Sequence, residues 1–418
     1  MWLAAVNGGK LVPDLQSLIQ GRFDMKWLAD RLADPFTYVD ALLDIFTQPD
    51  IDNLTPKVKQ LLDSDSAFRQ SWETDPAKIT VPTFISGGWH DVFVNSQADV
   101  YRRIPLPPGQ KQILIGDGYR ISNGNESGQP VLPPRMDVLQ RAWFDKWLEH
   151  IDNGIETFGP ITMKEQGLDH RRHLPAGGRR LPAHVPVRGT GGGSVHDGSL
   201  FPAAGDGVDT LTVAPGLTGL CSRDAAQETI GIVSIIDACG KDSRIWESNG
   251  LIFTSAPVAD TTTISGPIAV HLNTVQDAAD GYWVTTVNDV YPDGRSVTLS
   301  SGQLVASLRK IDESRSIRAA NGDCTDPVPD LSLSTRARTV PGVPVGLDIE
   351  VPGVDAVLAP GHPPARGRLR RQLPQGPAAA GHPGGHRAAS AAPAARPVRA
   401  EFRQPAGPRQ RGLVTDCR

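Results

Sequence analysis

Two short apolar runs, "ITVPTFISGGW" (79–89) and "KQILIGDGY" (111–119), each reach glycine and stop. The stretch between them, "VNSQADVYRRI" (94–104), fits one helix. Strand, helix, strand within some forty residues predicts a βαβ unit, whose two strands run parallel. Parallel strands are covered on both faces, which is why their own residues read as nearly continuous apolar runs. The feature therefore demands layers above and below the strands. "PPRMDVLQRAWFDKWLEHIDNG" (133–154) offers one of them. Leu139, Trp143 and Trp147 recur at four-residue spacing on one helical face. Asn153-Gly154 is the expected C-cap.

The hydrophobic period differs on either side. Over 1–79 it is helical: Leu15, Leu18, Ile19, Phe23, Trp27 and Leu28 fall three or four residues apart, and Pro35 and Pro56 punctuate the run. Asp65 or Ser66 is the expected N-cap of "SAFRQ", with Trp72 as a buried anchor. From 195 to 355 short β-rich runs alternate with turns: "LIFTSAPV", "TTTISGPIAVHLNTV", "GYWVTTVNDV", "SVTLSSGQLVASLRKI", with a tight turn at "YPDGRS". Such spacing predicts an all-β sandwich or jelly roll. Tyr282 and Trp283 are neighbours in one of these strands, so one faces outward while the other is buried.

Composition bounds the partners. At 418 residues the chain is too long for one core, and no apolar run reaches the ~18 residues of a membrane span. Residues 361–418 carry eleven Arg against two acids, while residues 1–360 carry 31 basic and 44 acidic side chains. An acidic body argues against nucleic acid. The cysteines, Cys221, Cys239, Cys324 and Cys417, show no C-x-x-C and no zinc spacing to histidine, so neither a structural metal nor a cofactor is expected. Cys221 and Cys239 are either a loop disulfide or two free thiols; spacing does not choose. No signal peptide opens the chain, which leaves localisation open, and nothing sets an oligomeric state.

Two stretches, 168–195 and 361–418, are rich in Arg, Pro, Gly, Ala and His and contain no Lys. Either a basic disordered linker or a GC-rich gene read out of frame gives this alphabet. The second reading is preferred, because each stretch interrupts a recognisable domain.

Four ordered motifs carry a family resemblance. "KITVPTFISGGWHDVF", "KQILIGDGY" and "QRAWFDKWLEHIDNGI", followed by the runs from "LIFTSAPV" to "SGQLVASLR", together resemble the CocE/NonD α/β-hydrolases. That family includes cocaine esterase, glutaryl-acylase-like enzymes and X-Pro dipeptidyl peptidases. The resemblance covers about 1–166 and 196–360. It implies an α/β plus all-β chain. Residues 1–79 would be a helical cap remnant and 80–166 the C-terminal part of an α/β-hydrolase core. An aberrant linker would span 167–195, and a jelly-roll β-sandwich of galactose-binding-like shape 196–360. Residues 361–418 would be a disordered Arg/Ala/Pro tail. The implied chemistry is acyl transfer to water by a Ser-His-Asp triad, on an ester, an amide or an X-Pro dipeptide. In the "G-G-W-x-D" motif the acid is Asp91; the reading from residues alone makes it a helix cap, and both roles are compatible.

The acid's partners do not follow. The resemblance puts the triad histidine just past the second strand, where this chain has Asp117 and Arg120. Arginine stays protonated and cannot act as a base near neutral pH. Gly-x-Ser-x-Gly occurs nowhere, and Ser194 lacks its context. His90 is expected to point away from Asp91, His150 to end a helix, and His271 to pack within a sandwich strand. His170, His173, His184 and His196 fall in or beside the odd linker. The resemblance places the nucleophile upstream of the cap, so roughly 150–200 residues before Met1 are expected to be missing. Two parallel strands alone would expose unpaired edges. The expectation is an inactive copy of a serine acyl hydrolase. The alternative is a non-catalytic binding module, for carbohydrate or for a hydrolase half supplied in trans.

Overall fold

β1 (Thr83–Gly88) and β2 (Lys111–Gly116) pair in parallel, in the register Thr83↔Lys111 to Gly88↔Gly116. β2 divides its side chains between two layers. Ile113 and Ile115 join Trp89, Val94 and Met163, with Tyr101 of the helix Val94–Arg103 packed against them. Leu114 turns the other way, onto Leu139 and Trp143 of the helix Met136–Trp147 and onto Ile155. One apolar run thus fills two cores, as the βαβ reading requires. The buried Gln112 donates to the carbonyls of Ile155 and Phe158, both at 2.7 Å, and so ties the short 3-10 turn Ile155–Thr157 to the strand. Lys111 Nζ donates to the carbonyls of Tyr101 and Ile104 at the end of the first helix, where a cation suits the helix dipole.

The computed structural model describes residues 19–22, 25–33, 51–91, 93–116, 118, 135–164, 171–173, 185–188, 198–201, 209–213, 242–247, 250–319, 322–361, 366–372 and 398–402. The sheet holds four strands rather than the expected two. β3 (Ile161–Lys164) pairs parallel with β2, and β4 (Arg171–His173) pairs antiparallel with β3. The second helix stops at Trp147, earlier than the expected Asn153-Gly154 cap. His150 takes the left-handed conformation (φ 58°) just beyond it, and Ile151 N–H donates to the Asp145 carbonyl at 2.9 Å. Asn153 serves as a tie instead. Its Nδ2 donates to the Ala142 carbonyl (2.7 Å), and its Oδ1 accepts from the Ile155 N–H (3.1 Å).

Two further sheets share one core. The six-stranded sheet runs β11 (Ser296–Val305), β10 (Tyr282–Val290), β15 (Arg366–Gln372), β8 (Leu251–Ser255), β6 (Gly198–Phe201), β5 (Val185–Arg188). The four-stranded sheet runs β14 (Pro344–Leu358), β9 (Thr262–Val275), β16 (Val398–Phe402), β7 (Asp209–Val213). Between them lie Leu211, Leu251, Phe253, Leu272, Trp283, Leu304, Leu347 and Ile349. A continuation of this layer holds Val287, Leu299, Val351, Val354 and Ala356. Trp283 is the inward member of the Tyr282–Trp283 pair; the Tyr282 hydroxyl bonds the Gln303 side chain on the next strand. The layers approach closely at Gly302, where a Cβ would stand 2.1 Å from the Glu350 carbonyl oxygen. β12 (Ile317–Arg318) and β13 (Cys324–Asp326) form a separate antiparallel pair, and Cys324 is disulfide-bonded. Cys221, Cys239 and Cys417 lie outside the described residues.

β15 and β16 lie within 361–418, and β4 and β5 within 167–195. A ladder asks a strand for backbone donors and acceptors, which almost any residue supplies. An arginine-rich composition does not exclude it.

The described residues of 1–73, with 331–335, form a separate compact unit. Val58 and Leu61 are its buried residues, with Leu54, Leu62 and Phe68 against them. Pro56 opens the helix Pro56–Leu62, and Ser66 caps Ala67–Gln70 by accepting from Arg69 N–H at 3.0 Å. Asp65 is not that cap; it accepts from Ser332 Oγ at 2.5 Å. Trp72 is 58% exposed and rests on Phe68, and Ile19 is 79% exposed, so neither is the core anchor its spacing suggested. A helical period marks one face without saying what covers it. Leu15, Leu18 and Phe23 lie outside the described residues.

Candidate active site

β1 and β2 end level, at Gly88 and Gly116. The chain leaves β1 through a turn whose backbone is bonded across to the loop leaving β2. Trp89 N–H donates to the Gly116 carbonyl (3.0 Å) and His90 N–H to the Gly118 carbonyl (3.1 Å). The "GGWHD" motif and the loop after the second strand are therefore held side by side at the C-terminal ends of parallel strands, where open α/β sheets place their sites.

Asp91 lies in this turn, 5% exposed. Its Oδ1 accepts from Phe93 N–H at 3.0 Å, and its carbonyl accepts from Val94 N–H at 3.1 Å. These bonds fold the turn that leads into the helix Val94–Arg103. The helix's N-cap is Phe93, with no side-chain cap bond, so Asp91 orders the turn before the helix rather than capping it as the residues alone suggested. Trp89 anchors the turn from below, in the cluster with Ile113, Ile115 and Met163. Phe93 is half-buried. Gly87 carries no side chain where the Gln97 carboxamide lies; a Cβ there would meet Gln97 Oε1 at 1.7 Å.

His90 belongs to the turn rather than to the strand and is buried beside Asp91, so strand alternation does not decide its direction. Asp117, Arg120 and Ser194 lie outside the described residues, as do His170, His184 and His196. His173 ends β4. His150 is exposed at the helix end. His271 was expected to pack in the core or at the surface of its strand. It stands on the outward side of β9, with Nδ1 2.7 Å from Asp348 Oδ1 on β14. The hydrogen bond to Asp348 holds its pKa above the usual imidazole value, against the opposing effect of burial. Among the described residues no group of His, Cys, Asp and Glu is arranged to hold a metal ion, and no helix is long and apolar enough to cross a membrane.

A second carboxylate site lies one turn along the helix from Asp91. Asn95 Nδ2 donates to Glu350 Oε1 on β14, and Asn95 Oδ1 accepts from Gly353 N–H at 3.2 Å. Burial first, then the charge of Asp326, raises the Glu350 pKa to about 7; the Asn95 hydrogen bond and Arg315 pull the other way, and Asp99 adds to the rise. Burial also raises the pKa of Asp326. Asp99 is paired with Arg102 at 2.7 Å. Sequence reading missed Glu350 and Asp348, because their partners are strands or helices tens to hundreds of residues away. Their one sequence signal is polar residues set between Leu347, Ile349 and Val351.

Residues 136–363 match the family described as the X-Pro dipeptidyl-peptidase C-terminal non-catalytic domain. Among solved structures, the chain is similar to an alpha-amino acid ester hydrolase (17% identity, TM-score 0.56, 83% of this chain and 58% of that one). It is similar to an aminopeptidase from a marine sediment archaeon, Thaumarchaeota archaeon (16%, TM-score 0.55, 82% and 57%). A CocE/NonD family hydrolase from Staphylococcus aureus is a further neighbour (12%, TM-score 0.52, 73% and 48%). The chain spans about half the length of these structures. No curated protein matches the sequence.

Proposed function

The chain belongs to the family of the X-Pro dipeptidyl-peptidase C-terminal non-catalytic domain, and from that premise we propose that its α/β part carries Asp91 as the acid of a Ser-His-Asp acyl-hydrolase triad. The supporting observation is the stitched pair of loops. Asp91 is buried at the end of β1, and its turn is bonded to the loop that follows β2. The triad histidine of such an enzyme stands just past that second strand. There the acid fixes the histidine tautomer and stabilises the imidazolium that forms as a serine attacks the carbonyl. The substrate class is an ester, an amide or an X-Pro dipeptide, and the two-sheet region is a jelly roll of galactose-binding-like shape.

In these 418 residues the histidine position holds Arg120 and no Gly-x-Ser-x-Gly is present. We therefore propose that the chain by itself does not turn over. A serine-reactive fluorophosphonate probe and a fluorogenic ester are expected to show neither labelling nor hydrolysis. Labelling with turnover that Asp91→Ala abolishes overturns the proposed inactivity. The role of Asp91 is tested by placing a hydrolase segment with a serine elbow ahead of the chain carrying Arg120→His. Turnover should then fall about 10⁴-fold on Asp91→Ala; turnover indifferent to that change overturns the assignment.

The second reading, a non-catalytic binding module, is favoured by one observation: Tyr282 faces outward, with its hydroxyl bonded to Gln303. A glycan array on the whole chain tests it. Binding lost in Tyr282→Ala supports this reading; an array without signal overturns it.

A further inference from the structure

The two hydrogen bonds of Asn95 connect parts of the chain with different assignments. Asn95 lies four residues after Asp91, in the first turn of the helix that follows the Asp91 turn. Glu350 and Gly353 lie on β14, inside the matched non-catalytic domain. One carboxamide spans them, donating to a carboxyl and accepting from a backbone N–H. A side chain with a donor and an acceptor both engaged is a specific clamp; few other residues satisfy both ends.

The surroundings of Glu350 set when the clamp holds. From the helix it faces Asn95 and Asp99, from β13 Asp326, and from the turn before β12 Arg315. Along its own strand Asp348 precedes it by two residues on the same side, paired with His271 of β9. Ionised, Glu350 would add a third carboxylate to Asp326 and Asp99, opposed by Arg315 and by the Arg102 that pairs with Asp99. The bond from Asn95 favours the ionised form, yet burial and the neighbouring carboxylates outweigh it. The helix itself supplies part of that burial. By linkage, ionisation favours any state in which Glu350 regains water, and moving the helix off β14 does that.

We propose that Asn95 is a positioning residue through which β14 holds the turn carrying Asp91, and that ionisation of Glu350 releases this hold. The domain described as non-catalytic thereby reaches the candidate acid without touching substrate. The catalytic meaning of the hold rests on reading Asp91 as the triad acid; the hold itself does not.

Hydrogen exchange on the whole chain tests the proposal, with rates corrected for the intrinsic effect of pH. Between about pH 6 and pH 8 peptides covering Trp89–Gln97 should lose about tenfold in protection. Asn95→Ala should lower protection about fivefold at the acid end and leave little pH dependence. Glu350→Gln keeps an oxygen to accept from Asn95 and cannot ionise, so protection should stay high throughout. Asn95→Ala matching the parent, or Glu350→Gln showing the parent's full drop, overturns the proposal. So does an equal loss in the Met136–Trp147 helix, which marks general destabilisation. A wrong assignment of Asp91 leaves the exchange result unchanged and shows instead as turnover indifferent to Asp91→Ala.

Discussion

The layered α/β region and the two-sheet region solve burial in opposite ways. In the first, β1, β2, β3 and both flanking helices come from 83–164, and each core pairs neighbours in the chain. In the second, β14 pairs with β9 some eighty residues away, β15 with β8, and β16 with β7. Local contacts form with little loop closure, whereas distant pairings must meet that entropy before they stabilise anything. The difference predicts that the first region tolerates loss of distant chain and the second does not.

Truncation after Gly361 has the largest expected effect. It removes β15 from between β10 and β8 and β16 from between β9 and β7. The two-sheet region should lose its cooperative transition, an effect on the order of a whole domain's stability, about 5–15 kcal/mol. Circular dichroism and calorimetry read it; a truncated chain that melts like the full one breaks the comparison.

Next come the two tryptophans. Trp283 is wholly buried between the sheets, while Trp143 is 5% exposed on a helix packed over β2. Each large-to-alanine change costs about 3–5 kcal/mol, with Trp283→Ala at the upper end. Urea denaturation followed region by region should show each change weakening its own region first. Equal weakening of both would show that they melt as one.

Acidity gives a smaller effect. The folded-state pKa of Glu350 is raised from 4.5 to about 7. Its contribution is complete below pH 4.5 and is lost as pH rises through about 7, on the order of 2 kcal/mol. Glu350→Gln should flatten that part of the pH profile of Tm and stabilise the protein at pH 8. The His271 pKa is raised as well, so its pairing with Asp348 also contributes below the ordinary imidazole pKa and fades as pH rises past the folded value. Being partly exposed, this pair contributes less. Smallest is the turn before the helix: Asp91→Ala should cost about 1 kcal/mol through the lost bond to Phe93 N–H. No loss of stability would show that the turn is held by its backbone bonds alone.

Legibility follows the same division. The βαβ unit, the helix bearing Leu139 and Trp143, and strands β8 to β11 were readable, because each announces itself through its own period. Trp72 and Ile19 were misjudged, since a period does not name the surface that covers it. The odd stretches hid β4, β5, β15 and β16, because each strand is short and set in an Arg/Pro/Gly/Ala-rich run that reads as a whole like linker. Asp91 was legible as a motif, whereas its bond to the Phe93 N–H orders the turn before the helix rather than capping it. Glu350, with its clamp to Asn95, was not, because the two lie 255 residues apart.

The residues alone specify the βαβ unit, the helix bearing Leu139 and Trp143, strands β8 to β11, the parallel run of β1 and β2, and the acid at their end. Those properties depend on residues within a few positions of one another, so local sterics and periodicity express them. Only the tertiary structure decided the strand order of the two larger sheets, the setting of Asp91 beside the loop after β2, and the unusual acidity of Glu350. Each of these depends on what distant chain removes from water or brings within a few ångströms, and spacing along a sequence carries no record of that.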